Sequence, residues 1–164
     1  MRALQVFALG VVLFFAGLAI HESLHLLVVY AVGGQGHVIF RPWRFTLLPI
    51  TLPSVHVQPS QPLGLGRQAA DNFLGPALAA LIFGVLAWRV PLSPIRLALA
   101  ANAAILVFFA LIETGYLLLY AVADVEAPVL VAPEFNYGVP LAILVLAAIS
   151  AGVRPPQVPQ LRSA

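Results

Sequence analysis

Hydrophobic positions in this chain fall in long blocks, without the regular apolar and polar alternation of a water-soluble domain. From Ala3 to Val32 the apolar run is broken mainly at Gln5 and between His21 and His25, and comparable blocks occupy 69–90, 97–122 and 137–152. Blocks of about 20 apolar residues match a hydrocarbon layer about 30 Å thick. The pattern predicts four transmembrane helices at about 3–32, 69–90, 97–122 and 137–152. They form a single polytopic membrane domain over 1–164, with both ends of the chain on one side. Gly33-Gly34 ends the first helix, Arg89 closes the second, Pro91 and Pro94 make the next turn, and Arg96 opens the third.

The segment 35–68 is different material. Pro42, Pro49, Pro53, Pro59 and Pro62 forbid a long helix, while Val38-Ile39-Phe40 and the run from Phe45 to Val57 have β-branched and aromatic character. Short extended segments or a hairpin are expected there, partly dipping into the membrane interface, and not a continuous helix. Trp43, with Arg41 and Arg44 nearby, reads as an interfacial anchor. A Pro-rich tail follows at 153–164. The fold class is therefore an all-α integral membrane protein of four transmembrane helices with an extended Pro-rich insert between helices 1 and 2.

Composition strengthens this picture. The chain of 164 residues is 62% hydrophobic and 9% charged, and its mean hydropathy of +1.01 lies far outside the range of a soluble globular domain. The lipid bilayer is thus an expected partner. Met1-Arg2 and the small-residue end Phe15-Ala16-Gly17-Leu18-Ala19 also suit a signal peptide, but the apolar run continues through Leu24 to Tyr30, so one long uncleaved helix is expected. The eight basic residues are all arginine and are scattered, which gives no patch for nucleic acid. Arg2, Arg89, Arg96, Arg154 and Arg162 fall on the face of the termini. Arg41, Arg44 and Arg67 share the other face with an acidic loop of Asp124, Glu126 and Glu134. The positive-inside bias puts the termini in the cytoplasm, with the plasma membrane as the expected location.

The chemistry sits in the first block. Ile20-His21-Glu22-Ser23-Leu24-His25 contains the pattern HExxH. On a helix two histidines four apart share a face and can grip one metal ion, with the glutamate placed to handle the proton of its water. The bland reading is a pair of histidines bonded to neighbouring helices, but three ionisable groups within five membrane-embedded residues are costly without a function. Cysteine is absent, so any catalytic metal has an N/O shell, which suits zinc, Zn2+, as a single ion. His37 and His56 read as polar loop residues, since neither has a second metal-type residue at ligand spacing.

Two histidines need a third ligand. At about 1.5 Å per residue, His21 lies about 28 Å along its helix from Arg2, and Glu113 about 25 Å along the third helix from Arg96. The two helices run in the same direction, so these depths coincide. Asp124, at about 42 Å, overshoots His25 by about 8 Å, and Asp71 reaches the level of the histidines from the far side. Glu113 leads as third ligand, with Asp71 and Asp124 as alternatives. Glu113 also has the reading of a protonated carboxyl bonded to a neighbouring helix. Asp71 and Asn72 have the reading of helix caps, and Asn72 also that of a substrate-binding residue holding a peptide carbonyl.

At this point the chain resembles the M50, or site-2-protease-like, family of intramembrane zinc metalloproteases. The resemblance rests on His21-Glu22-Ser23-Leu24-His25 in the first span, the Gly33-Gly34 end, the Pro-rich extended segment and Asp71-Asn72-Phe73-Leu74-Gly75-Pro76, which is similar to the Gly-Pro segment opening a later helix in small members. It covers about the first half of the chain, to Ala87. It implies zinc held by His21, His25 and an acid from a later helix, Glu22 as general base, and a transmembrane protein as substrate. The family's Asp-Gly pattern is missing, with Glu113-Thr114-Gly115 as a loose stand-in.

The expected function is a zinc-dependent intramembrane endopeptidase. Zinc would lower the pKa of its water toward about 7, Glu22 would take the proton, and the edge of the Phe45–Val57 segment would hold the unwound substrate as an added strand. The competing class is a non-catalytic protease-like membrane adaptor or a small transporter subunit. Oligomeric state is not encoded in these patterns.

Overall fold

The computed structural model describes residues 1–45, 49–91 and 93–153. In chain order the elements are α1 (Arg2–Ala31), β1 (Gly36–Arg44), β2 (Thr51–Pro59), α2 (Leu65–Arg89), α3 (Pro94–Ala123), a 3-10 turn (Pro128–Val131) and α4 (Pro133–Val153). All four α-helices are long and apolar enough to cross a membrane. At 30 residues each, α1 and α3 reach about 45 Å, well beyond the thickness of a hydrocarbon layer.

The bundle is apolar both inside and out. Its core joins Phe14 of α1, Ala79, Ala80 and Phe83 of α2, Ile105, Leu106 and Phe109 of α3, and Leu144 of α4. Leu4, Val12, Leu81, Trp88, Leu111, Val122 and Leu146 project outward from the helices. Small residues such as Ala79, Ala98 and Ala101 let the helices approach closely. At Gly10 of α1 an added Cβ would stand 2.8 Å from the Leu144 side chain. Next to this contact, buried Asn102 donates to Gly10 O at 3.1 Å and to Ala98 O at 2.9 Å, a polar tie between α1 and α3. Helix α1 ends at Ala31, and Gly33, just past its cap Val32, has a φ of +80° that suits a residue without a side chain.

The insert is regular β structure, so the chain is mostly rather than wholly helical. β1 and β2 form a two-stranded antiparallel sheet with Gly36 opposite Pro59 and Arg44 opposite Thr51. The register explains how a proline-rich segment pairs. Val57 N–H leaves the sheet to reach Glu22 Oε2 at 3.0 Å, so residues of its parity in β2 and their partners turn their backbone groups away from the ladder. Pro42, Pro53 and Pro59 all belong to that set and remove no ladder bond.

The element bounds correct three expectations. Helix α2 begins at Leu65, four residues ahead of Ala69, behind a Gly64 N-cap that supplies no side-chain bond. Asp71 and Asn72 therefore lie well inside the helix and do not cap it. Helix α4 begins at Pro133, which brings Glu134 into its first turn. Trp43, partly buried, packs against Tyr137 and His56, each with ring centroids 5.6 Å away. The tail at 154–164, with Arg154 and Arg162, lies outside the described residues.

Candidate metal centre

Helix α1 buries one stripe: Val6, Gly10, Phe14, Gly17, His21, His25 and Val28. The spacing of three and four is the helical repeat, so the two histidines continue the apolar face that packs into the bundle. Their Nε2 atoms meet at 2.7 Å, with the residues 3% and 7% exposed. Glu113 approaches from α3, one turn beyond Phe109, whose ring lies 5.8 Å from that of His21. Its Oε1 is 3.4 Å from His21 Nε2 and its Oε2 is 3.1 Å from His25 Nε2. One ligand atom from each of the three residues falls within 4.8 Å of the others.

Helix α2 supplies the support. Gly75 lies against the His25 ring, where an added Cβ would come within 2.7 Å of Cγ and Nδ1. One turn earlier Asp71, 3% exposed, takes His25 Nδ1 at 3.0 Å. With the Nδ1 proton donated to this carboxylate, the lone pair of Nε2 faces His21 and Glu113. Asp71 thus meets the Nδ1 side of the imidazole, whereas the ligand atoms that come together are those of His21, His25 and Glu113. Asn72 accepts from Gln68 Nε2 at 2.8 Å and donates to Glu113 O at 3.1 Å, so its amide ties α2 to α3 and does not line the cleft described below. Asp124 caps α3 in the left-handed conformation, eleven residues past Glu113. That is about 16 Å along the axis, too far for it to join the histidines.

The donor types suit a divalent ion such as zinc, with the two Nε2 atoms 2.7 Å apart and one Glu113 oxygen facing each of them, Oε1 toward His21 and Oε2 toward His25. Two imidazoles and one carboxylate also match a catalytic set that leaves a fourth position open. His21 Nδ1 is buried and makes no hydrogen bond among the described residues.

His21 and Glu113 border a cleft of about 410 Å³ between α1, α3, α4 and the hairpin, lined also by Glu22, Phe15, Phe40, Trp43, His56 and Tyr137. Glu22, one residue and about 100° around the helix from His21, turns toward β2, where Val57 N–H holds its carboxylate. A larger groove of about 550 Å³ on the outside of α2 and α3 is lined by Phe73, Leu81, Trp88, Leu111 and other apolar residues, with no titratable group. Size alone therefore does not locate the chemistry.

His56 and Ser54 enter this site from β2 with no sequence signal beyond strand alternation, and Tyr137 enters from α4 with none. His56 is brought in by the docking of β2 on α1, a contact that ligand spacing along the chain does not encode. No protein-family model matches the chain, and no curated protein and no solved structure matches it.

Proposed function

We propose that this chain is a multi-pass membrane protein and a zinc-dependent endopeptidase that hydrolyses peptide bonds of membrane-embedded substrates. The observation that carries this reading is the convergence of His21, His25 and Glu113 at a cleft whose wall also presents Glu22. The apolar exterior of four long helices supports placing that site within a bilayer.

His21, His25 and Glu113 hold the ion, and Asp71 keeps the His25 imidazole in the tautomer that can ligate. Zinc bound there supplies Lewis acidity, activating water and polarising a peptide carbonyl. Glu22 accepts the proton of the attacking water and delivers it to the departing amine, and the Val57 N–H fixes the carboxylate in place for both transfers. The outer edge of β2 runs along the cleft. Val55 shares the parity of Val57 and turns its N–H and C=O to that edge, where an unwound substrate segment can pair as an added strand. Apolar side chains such as Phe15 and Phe40 limit water at the site.

The face formed by the ends of α1, α2 and α3 nearest Arg2, Arg89 and Arg96 lacks acids, whereas the opposite face mixes Arg41, Arg44 and Arg67 with Asp124, Glu126 and Glu134. This asymmetry supports termini in the cytoplasm and residence in the plasma membrane. The test is to incubate the zinc-loaded protein in detergent micelles with single-span peptides carrying helix-breaking residues. Zinc-dependent cleavage, stopped by a chelator and restored by zinc, supports the reading. Intact peptides from a protein carrying one zinc per chain contradict it.

A further inference from the structure

His56 stands on β2 in the lining that also holds His21, Glu22 and Glu113. The next residue, Val57, gives its backbone N–H to Glu22, so this strand is tied to the general base one residue from the imidazole. Two contacts fix the ring. Ser54 Oγ is hydrogen-bonded to Nε2, and the Trp43 ring lies against it with centroids 5.6 Å apart.

Two other side-chain donors around the cleft are engaged elsewhere. Ser23 Oγ–H goes to Ala19 O at 2.7 Å, and the Asn136 amide goes to Leu130 O at 2.9 Å and Ala132 O at 3.1 Å. When the Ser54 hydroxyl donates to Nε2, the ring proton of His56 resides on Nδ1, which has no hydrogen-bond partner among the described residues. Burial holds the His56 pKa below its ordinary value, against the nearby negative charge of Glu113, so the ring stays neutral and keeps one donor and one acceptor.

We propose that His56 is a further catalytic residue, whose Nδ1–H donates a hydrogen bond to the substrate carbonyl oxygen as negative charge gathers on it during attack by water. This rests on the endopeptidase reading of the site. Glu22 and Glu113 offer oxygens that accept, and a developing oxyanion needs a donor fixed before the reaction begins.

The test uses the cobalt-substituted protein in micelles and follows its visible spectrum during titration with two anions. Benzylphosphonate is a tetrahedral oxyanion with an apolar arm, and benzoate is its planar control. His56→Phe, which keeps an aromatic ring beside Trp43, is expected to bind cobalt and benzoate as the unaltered protein does. It should bind benzylphosphonate about 10- to 100-fold more weakly. His56→Gln, which retains a donor, is expected to recover part of that loss. Equal phosphonate affinity in His56→Phe overturns the proposal. A parallel loss of both anions also overturns it, because it marks His56 as a support of the cleft. Failure of the unaltered protein to take up cobalt or zinc overturns the metal reading itself, and this proposal with it.

Discussion

His25 Nδ1 and Asp71 Oδ1 stand 3.0 Å apart, joining α1 to α2 across 46 positions of sequence. The carboxylate holds the imidazole with its other nitrogen turned to Glu113, so on the proposed reading its removal would weaken the binding of a metal held by His25. Asp71→Ala is expected to weaken zinc binding about 10- to 100-fold while leaving the bundle folded. Asp71→Asn, which can still accept from Nδ1–H, should lose less. Competition against a chelator of known affinity measures both, and unchanged affinity in Asp71→Ala would show that the contact does not orient the ligand.

Gly75 controls the same imidazole by its lack of a side chain. An added Cβ would lie 2.7 to 2.8 Å from Cγ, Nδ1 and Cε1 of His25, closer than packed atoms tolerate. Gly75→Ala is expected to displace the ring from Asp71, weaken zinc binding and cost about 1–3 kcal/mol of stability. Gly84→Ala is the control, since nothing lies within 4 Å of a Cβ there. Equal zinc affinity in the two variants would count against a tightly set His25.

The parts legible in the sequence are those encoded by spacing within one element. The four apolar helices follow from hydropathy, and the common face of His21 and His25 follows from the helical repeat. The juxtaposition with Glu113 was reachable because α1 and α3 are both long and parallel, so residue number converts to depth. Depth also put Asp71 at the level of the histidines, where it meets His25, but left the roles of Asp71 and Asn72 open. They look like caps, yet α2 starts at Leu65 despite Gly66 in its first turn, which places both residues inside the helix where packing against α1 and α3 sets their roles. His56 was illegible because its position depends on the register of β1 with β2 and on the docking of that hairpin at Glu22.

Glu113 and Asp124 lie on one helix and should behave oppositely. Glu113→Ala removes a donor 3.1 Å from His25 Nε2 and is expected to abolish tight zinc binding. Asp124→Ala alters only the exposed left-handed cap of α3 and should leave zinc binding nearly intact. Elemental analysis after dialysis against a weak chelator separates them, and zinc retained by Glu113→Ala would remove this residue from the shell.

His56 gives a pH signature in the metal-free protein. Burial lowers its pKa in the folded state, with Arg41 lowering it further and Glu113 opposing. The unfolded chain, with an ordinary value of 6.5, binds the proton first as pH falls. The contribution of neutral His56 is therefore complete above about pH 6.5 and is lost as pH falls through the lower folded value. The melting temperature of the unaltered protein minus that of His56→Gln should decrease between pH 8 and pH 5. A difference that stays constant or grows on acidification would show that the imidazole is not held neutral by burial.

The central claim is that Glu22 works as a base beside a zinc ion held by other residues, and Glu22→Gln tests it with two readings on one sample. The substitution keeps the side chain's shape and an oxygen for the Val57 N–H. The expected result is one zinc per chain, as in the unaltered protein, with cleavage of a membrane-spanning peptide reduced by about 10³-fold or more. Full cleavage by Glu22→Gln, or the same zinc content with no cleavage by the unaltered protein, would contradict the account.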